Sequence, residues 1–233
     1  MRVCLFTGTF NPIHIGHLMV INFTIEKFFI DLLYIIPNRI PVHKKRDIIL
    51  PSNLRLKFIQ MSIKELKYKD KIVVSDFEIK SKFNSYTFYT VSYYRELHRD
   101  DDIFLLIGDD SLIFYKWFNF KEIFKLVDKF IIISRYLKYE NSRSFIEKVI
   151  KIYESNKEVL NSNKECQNLN WDLYEIVKKN QAELENKFEI LDLPKIEISS
   201  KYIIDRLRSG LSVDYMLNNK VKKIIQDKFN FAY

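Results

Sequence analysis

The chain has 233 residues, of which 47% are hydrophobic; this is enough to fill a core and too much for an intrinsically disordered protein. It carries 38 Lys and Arg against 30 Asp and Glu, and the net charge of +8 suits phosphate-bearing partners without identifying one. Its most apolar stretch, FFIDLLYIIP, contains Asp31 and ends at Pro37, which excludes a membrane-spanning helix there.

The first residues and the cysteines indicate the compartment. The opening MRVCLFTGTFNP reaches turn residues after four apolar positions, too few for the apolar part of a secretory signal. Cys4 and Cys166 lie far apart and fit neither a disulfide framework nor a metal cluster, so we expect both to be reduced. Together these features predict a cytoplasmic protein.

Short apolar runs rich in β-branched and aromatic residues recur along the chain and predict buried strands. They cover residues 3–6, 32–36, 72–75, 103–107, 130–133 and, more weakly, 188–191. Apolar residues at helical spacing separate them, first at Leu18, Ile21, Ile25 and Phe28, then, after the expected N-cap Ser52, at Leu54, Phe58, Met61 and Ile63. The alternation predicts an α/β fold, a Rossmann-like doubly wound parallel sheet with helices on both faces.

One segment breaks this alternation. Residues 137–190 are rich in Glu, Lys and Asn and contain no predicted strand before their end. We expect a helical insertion of two amphipathic helices before the C-terminal motif, within a single domain over residues 1–233.

The strongest chemical signal is GTFNPIHIGH, residues 8–17, between the first strand and the first helix. This connection lies at the carboxyl edge of a parallel sheet, where ligands bind. Gly8 allows close backbone approach, Gly16 leaves the helix entrance bare, and His14 and His17 project from one side of the first turn. Imidazoles beside helix N–H groups suit a polyphosphate whose bridging oxygen gains charge. The alternative is that one histidine caps the helix and the other fills space.

The loop resembles that of the nucleotidyltransferases marked by GxFxPxHxGH, and among them the bacterial nicotinate-nucleotide adenylyltransferases. Five further segments resemble motifs of that family, in order. They are PVHKK (41–45), NSYTFYT (84–90), GDDSLIFYKW (108–117), IIISR ending at Arg135, and ISSKYII (198–204). The resemblance therefore covers most of the chain.

The resemblance implies a reaction in NAD biosynthesis. AMP passes directly from ATP to the 5′-phosphate of nicotinate mononucleotide, giving deamido-NAD and pyrophosphate with no covalent enzyme intermediate. It implies Mg²⁺ bound through the ATP phosphates rather than by a metal site of the protein. We expect small-molecule substrates, no membrane and no nucleic acid as partners, and leave a homo-oligomer open.

The resemblance also assigns residues. His14 and His17 hold the ATP phosphates as the catalytic pair. The other ATP-binding positions are Gly8, Thr9, Phe10, Gly108, Asp110, Ser199, Ser200 and Arg208. The acceptor-binding positions are Lys44, Tyr86, Thr87, Trp117 and Arg135. Helix capping is the competing account for Asp110 and the two serines, a core position for Trp117, and a surface charge for Lys44 and Arg135.

Several residues depart from the family pattern. Thr7 and Asn11 stand at family Gly and Asp positions, and Tyr89 stands where Asp is favoured. Lys201 and Ile204 replace the Thr and Arg of ISSTxIR. Because an aliphatic side chain cannot replace a guanidinium on a polyphosphate, we expect a charged neighbour to compensate. The candidates in the same helix are Lys201, Arg206 and Arg208.

Other functions remain open at this stage. A phosphopantetheine adenylyltransferase shares the loop. A nicotinamide mononucleotide adenylyltransferase acts on an acceptor that carries an amide where nicotinate mononucleotide carries a carboxylate. A relative that senses nucleotides or binds nucleic acid without turnover would account for Ile204 and the net charge of +8. It would bind ATP without releasing pyrophosphate, or bind RNA with steep salt dependence.

Overall fold

The structure, a computed structural model, describes residues 1–39, 49–134, 138–157, 169–179, 184–194 and 196–229. Its strands are β1 (Arg2–Gly8), β2 (Leu32–Pro37), β3 (Ile72–Val74), β4 (Asp102–Gly108), β5 (Lys129–Ile133) and β6 (Phe188–Leu191). They form one sheet in the order β3-β2-β1-β4-β5-β6. All six predicted strands are confirmed to within a residue or two at each end.

Helices connect the strands. They are α1 (Ile15–Lys27), α2 (Ser52–Ser62), α3 (Phe77–Lys80), α4 (Thr87–Leu97), α5 (Asp109–Phe114), α6 (Phe120–Leu126), α7 (Ser142–Lys157), α8 (Trp171–Lys179), α9 (Ser200–Arg208) and α10 (Asn219–Phe229). The alternation along a parallel sheet confirms the predicted Rossmann-like α/β fold.

Helix α2 differs from its prediction in two ways. It begins at Ser52, so Pro51 rather than Ser52 occupies the N-cap position. Its buried side chains are Arg55, Phe58, Ile59 and Ser62, whereas Leu54, Met61 and Ile63 are only half-buried. The buried stripe is rotated because it includes an arginine, which apolar spacing does not detect.

The chain divides into two compact units. The first consists of Met1–Phe6 and Tyr86–Leu193. Its strands pair in parallel register, with Leu5 opposite Leu105 in β1–β4, and Ile132 opposite Ile107 and Ile190 in β4–β5–β6. The strand interiors are buried, as expected for parallel strands.

The second unit consists of Thr7–Ser85 and Pro194–Tyr233. Here β2 and β3 pair in parallel, with Tyr34 opposite Val73. Leu33 of β2, Ile21 of α1 and Phe58 of α2 are fully buried in its core.

Two buried side chains, Tyr153 of α7 and Asn170 just before α8, form hydrogen bonds with the end of α5. The Tyr153 hydroxyl lies 2.8 Å from the Ile113 carbonyl oxygen and 2.9 Å from that of Asn170. The Asn170 amide nitrogen Nδ2 donates to the Leu112 carbonyl at 3.1 Å. The last carbonyls of a helix have no partner within it, and these side chains supply donors to them, in addition to the Asn170 backbone N–H that also donates to Ile113 at 3.1 Å.

Cys4 lies in β1 with no exposed surface, and burial raises the pKa of its thiol. A thiol with a raised pKa is a poor nucleophile and metal ligand, as expected for a reduced structural cysteine. Cys166 lies outside the described residues. Within the described part of the chain, no helix is both long and apolar enough to cross a membrane.

We predict that Tyr153→Phe destabilises the protein by about 1–2 kcal/mol at pH 7, because carbonyls lose a buried donor. Burial raises the pKa of Tyr153 above its ordinary value in the folded protein. As the pH rises, the Tyr153 hydroxyl therefore ionises first in the unfolded chain, which lowers the free energy of unfolding of the wild type. The difference between wild type and variant should therefore shrink above about pH 10. Urea unfolding at both pH values measures it.

The matched control is Tyr174→Phe, which removes a hydroxyl that contacts the exposed Lys178 ammonium. We expect its stability to stay within about 0.5 kcal/mol of wild type. Equal urea midpoints for Tyr153→Phe and wild type at pH 7 would show that the hydroxyl does not stabilise the end of α5.

Candidate active site

The loop between β1 and α1 is held tightly by its own side chains. Phe10 has a left-handed backbone, with φ of 46°, and its ring is 3% exposed. A Cβ atom added at Gly8 would lie 3.1 Å from Cζ of that ring, closer than side chains normally approach. Gly8 is therefore needed because the Phe10 ring packs against its backbone.

The two histidines of the loop lie beside each other. His14 is the N-cap residue of α1 and His17 is the third residue of the helix, and their ring centroids are 3.8 Å apart. The backbone N–H of His14 donates to Nδ1 of His17 at 3.2 Å. Because Nδ1 accepts this bond, we assign the proton of the neutral ring to Nε2, which makes Nε2 a donor. The capping account thus holds for Nδ1 of His17, and Nε2 is the ring nitrogen that donates.

Two contacts fix the orientation of these rings. A Cβ atom at Gly16 would lie 3.2 Å from both Cε1 and Nδ1 of His14, whose ring is 6% exposed. The Phe10 ring meets the half-buried His17 ring edge-on, with centroids 5.1 Å apart. The glycine lets His14 lie against the helix, and the phenyl ring supports His17.

Three hydrogen bonds anchor the loop within the second unit. Oδ1 of Asn11 accepts from the backbone N–H of Leu50 at 2.8 Å. The Ser200 hydroxyl donates to the Pro12 carbonyl at 2.9 Å, and the Ile15 N–H donates to Met216 at 2.9 Å. The bond to Leu50 needs an acceptor oxygen, which an aspartate would also provide, so the departure of Asn11 from the family residue keeps this bond.

Helix α9 begins beside this loop, through Ser200. The hydroxyl of Ser199 accepts from the Tyr202 N–H at 3.1 Å, so this serine is the N-cap, as the competing account held. Ile204 is 5% exposed and shares its buried face with Ile203 and Leu207. The position of the family arginine is therefore part of the core.

The charged residues of α9 differ in their contacts. The ammonium of Lys201 lies 2.6 Å from Asp205, and Arg206 donates to the Ser212 carbonyl at 2.8 Å. Arg208, one turn after Ile204, is more loosely placed, with its guanidinium 3.7 Å from Asp205. Lys201 and Arg208 lie three and four residues from Ile204 and both pair with Asp205, and the ion pair of Arg208 is the longer of the two.

In the first unit, β4 ends at Gly108, which is also the N-cap residue of α5. Asp109 is fully buried, and its Oδ1 accepts from the Asp110 N–H at 2.8 Å. Oδ1 of Asp110 is also buried, yet it has no hydrogen-bond partner within the described residues. A buried carboxylate oxygen without a partner is costly, and a ligand hydroxyl would remove that cost.

Aromatic side chains surround the start of α4, also in the first unit. Tyr86 is the N-cap residue and Thr87 the first residue of this helix. The Trp117 indole N–H donates to the Ser111 carbonyl at 2.9 Å, and its ring is half-buried. Phe118, which the sequence analysis did not select, is 42% exposed and stacks on Tyr86 at 5.0 Å. The one feature of the sequence that pointed to Phe118 is its position directly after Trp117.

Two predicted acceptor residues, Lys44 and Arg135, lie outside the described residues. The others fall into both units. Gly8, Thr9, Phe10, His14, His17, Ser199, Ser200 and Arg208 belong to the second, and Tyr86, Thr87, Gly108, Asp110 and Trp117 to the first. In the described ranges, no three His, Cys, Asp or Glu side chains form a group that could hold a metal ion.

Comparison with known proteins places this chain in a family. A family model described as cytidylyltransferase-like matches residues 5–206. A protein of Clostridium acetobutylicum named "probable nicotinate-nucleotide adenylyltransferase" is 33% identical over 226 residues, which cover 97% of this chain and 96% of its own. A protein of the same name from Fusobacterium nucleatum is 31% identical over 231 residues, covering 98% and 99%.

Solved structures agree on the fold. The nicotinic acid mononucleotide adenylyltransferase of Plasmodium falciparum, complexed with NaAD, superposes with a TM-score of 0.67 at 19% identity, covering 99% of this chain and 98% of its own. The family match over most of the sequence, with relatives above 30% identity along nearly its whole length, shows that this chain belongs to the cytidylyltransferase-like family, among the nicotinate-nucleotide adenylyltransferases.

Proposed function

We propose that this protein transfers AMP from ATP to the 5′-phosphate of nicotinate mononucleotide, releasing pyrophosphate and forming deamido-NAD. The observation that carries the proposal is the pair of adjacent imidazoles at the start of α1, where Nδ1 of His17 accepts a backbone bond and the proton is therefore assigned to Nε2. Relatives named for this activity support it. So do the complexes of the Plasmodium enzyme with NaAD and with APC.

On the ATP side, the proposal gives each group a task that its contacts permit. His14 and His17 face the phosphates, and the N-terminus of α1 adds the positive end of its dipole. Gly8 and Thr9 use their carbonyls within the protein, accepting from Asn38 and Arg55, so the contacts of residues 8–10 with the nucleotide fall to N–H groups.

The remaining ATP contacts come from residues after β4 and at the start of α9. Oδ1 of Asp110, which has no partner among the residues that the structure describes, accepts a hydrogen bond from a ribose hydroxyl, and Gly108 leaves its strand end without a side chain. Ser199 caps α9 with its hydroxyl and Ser200 donates to Pro12, so phosphate contacts from this turn come from backbone N–H groups.

For the acceptor, Trp117 contributes its ring, because its indole N–H is already bonded to Ser111. Tyr86 and Thr87 meet the pyridine carboxylate through the backbone at the start of α4. Lys44 and Arg135 bind the acceptor phosphate in this proposal. We also propose that the protein is cytoplasmic.

The reaction needs no protein nucleophile. An oxygen of the acceptor phosphate forms a bond to the α-phosphorus of ATP while the bond from that phosphorus to the pyrophosphate oxygen breaks. Positioning lowers the entropic barrier, and N–H donors stabilise the charge that develops on the leaving oxygen. Mg²⁺ held through the ATP phosphates would neutralise phosphate charge. The donor set fits that mode, since imidazole and helix N–H groups each take one phosphate oxygen and leave others for the ion.

Direct assay tests the proposed reaction. Purified protein with ATP, Mg²⁺ and nicotinate mononucleotide should release pyrophosphate and form deamido-NAD. Chromatography measures both products. Nicotinamide mononucleotide and phosphopantetheine serve as alternative acceptors in parallel assays. ATP binding without product from any acceptor would favour a non-catalytic relative and overturn the proposal.

A matched pair of variants tests His17. In His17→Asn the side-chain oxygen can replace Nδ1 as acceptor for the His14 N–H, but the Nε2 donor is lost. We expect wild-type stability and a fall in kcat of about 100- to 1,000-fold. His17→Gln keeps a donor near Nε2 and loses the acceptor, so it should lose less activity but about 1 kcal/mol of stability. Unchanged kcat in His17→Asn would contradict the assigned role.

Two further variants test the charge that compensates for Ile204. Arg208→Ala should raise KM for ATP about tenfold, the loss expected for one charge-assisted hydrogen bond. Arg206→Ala is the control, because Arg206 is bonded to Ser212 and lies on the other side of α9; its KM should stay at the wild-type value. If the Arg208 variant also keeps its KM for ATP, Arg208 does not supply the missing charge.

A further inference from the structure

The proposed reaction does not use the buried charge of Arg55. Arg55 of α2 has no exposed surface, although arginine is rarely buried. Four of its five N–H groups donate to backbone carbonyls: Nε to Leu50 at 3.0 Å, one terminal nitrogen to Thr9 at 2.6 Å, and the other to Asn38 at 2.6 Å and Arg39 at 3.1 Å.

Stability alone is a weak reason for this arrangement. Burial lowers the pKa of the Arg55 guanidinium to about 10, against the opposing effect of Glu78, so the group is charged at neutral pH. Removing such a charge from water costs several kcal/mol, and an apolar side chain of similar volume often stabilises a core equally well. What the guanidinium adds is a rigid planar fork that fixes the directions of its partners.

Those partners belong to two parts of the proposed site. Thr9 lies in the histidine loop. Asn38 and Arg39 precede residues 40–48, which contain Lys44, and Leu50 follows them. One side chain therefore bonds the ATP loop and the described residues on both sides of the acceptor segment.

Neighbouring bonds complete this connection. The backbone N–H of Asn38 donates to the Gly8 carbonyl at 2.9 Å, and its side chain donates to the Thr9 hydroxyl at 3.3 Å. The N–H of Leu50 donates to Asn11 at 2.8 Å. We call Arg55, Asn11, Asn38 and Leu50 the loop clamp.

We propose that Arg55 is a positioning residue for adenylyl transfer, whose fork holds Thr9 of the ATP phosphate loop at a fixed distance from residues 38–39 and 50. This inference rests on the proposed function. Because catalysis depends on holding the two substrates in line, a shift of about 1 Å in this loop should cost about 100-fold in kcat/KM. Lysine cannot replace the fork, since its single ammonium cannot bond four carbonyls in fixed directions.

The test compares Arg55→Lys with Phe58→Leu. Phe58 is equally buried in α2, one turn away, and shortening it loosens the core with no loss of a bond to the loop clamp. Steady-state kinetics are measured below the melting temperature of both variants, with binding of a non-hydrolysable ATP analogue by calorimetry. We expect Arg55→Lys to raise KM for both substrates and Kd for the analogue about tenfold or more. Phe58→Leu should keep KM and Kd within about twofold of wild type, since it leaves every hydrogen bond of the loop clamp in place.

Asn11 tests the clamp without removing the buried charge. Asn11→Ala should raise KM for both substrates, and Asn11→Asp should keep the wild-type KM, because a carboxylate oxygen accepts the same N–H of Leu50. These variants decide the question if Arg55→Lys does not fold.

The outcomes separate this inference from the proposed function. A wild-type enzyme with no product from any acceptor defeats the proposed function, and analogue binding then still tests Arg55. Wild-type KM and Kd in Arg55→Lys, or equal increases in Phe58→Leu, would overturn the positioning role. With Arg55→Lys unfolded, wild-type KM in Asn11→Ala would overturn it as well.

Discussion

The bond from the His14 backbone N–H to Nδ1 of His17 is the constraint on which the site depends. It satisfies one of the donors that a helix N-terminus leaves unpaired, and it also determines which ring nitrogen of His17 carries the proton. Gly16 lets the His14 ring lie against the start of the helix, because any side chain there would meet that ring. Helix initiation and the proposed phosphate recognition thus depend on the same local structure.

Each unit uses a buried polar side chain where a backbone turn must be held in place. In the first unit Tyr153 and Asn170 bond the last carbonyls of α5, the helix that carries Asp110. In the second, Arg55 bonds carbonyls of Asn38 and Leu50, which lie before and after residues 40–48 in the sequence. A carbonyl oxygen at the end of an element needs a donor when it is buried, and long polar side chains supply one without extending the helix or strand. The helices of residues 137–190 thereby gain a structural task close to the proposed ATP contacts.

The strands could be predicted from the sequence, because segments such as residues 3–6 and 130–133 are short runs of β-branched and aromatic residues, which are typical of strands in a buried parallel sheet. It also predicted the loop of residues 8–17, since two glycines, a proline and two histidines fill a strand-to-helix connection. It did not predict Arg55 as buried, because the carbonyls that compensate its charge come from residues far apart in sequence. Phe118 was missed for a similar reason: its stacking on Tyr86 depends on tertiary contact. The roles of the site residues remain predictions, and Lys44 and Arg135 lie outside the described residues.

Ile204 has an evolutionary consequence. Its side chain is 5% exposed among Ile203 and Leu207, so an arginine restored at this position would have to displace packed neighbours or carry its charge into the core. Replacing Ile204 by arginine would therefore lower stability before it could improve nucleotide affinity. A lineage with this packing is more easily adjusted at exposed positions of the same helix, and its descendants should vary there while keeping an aliphatic residue at 204.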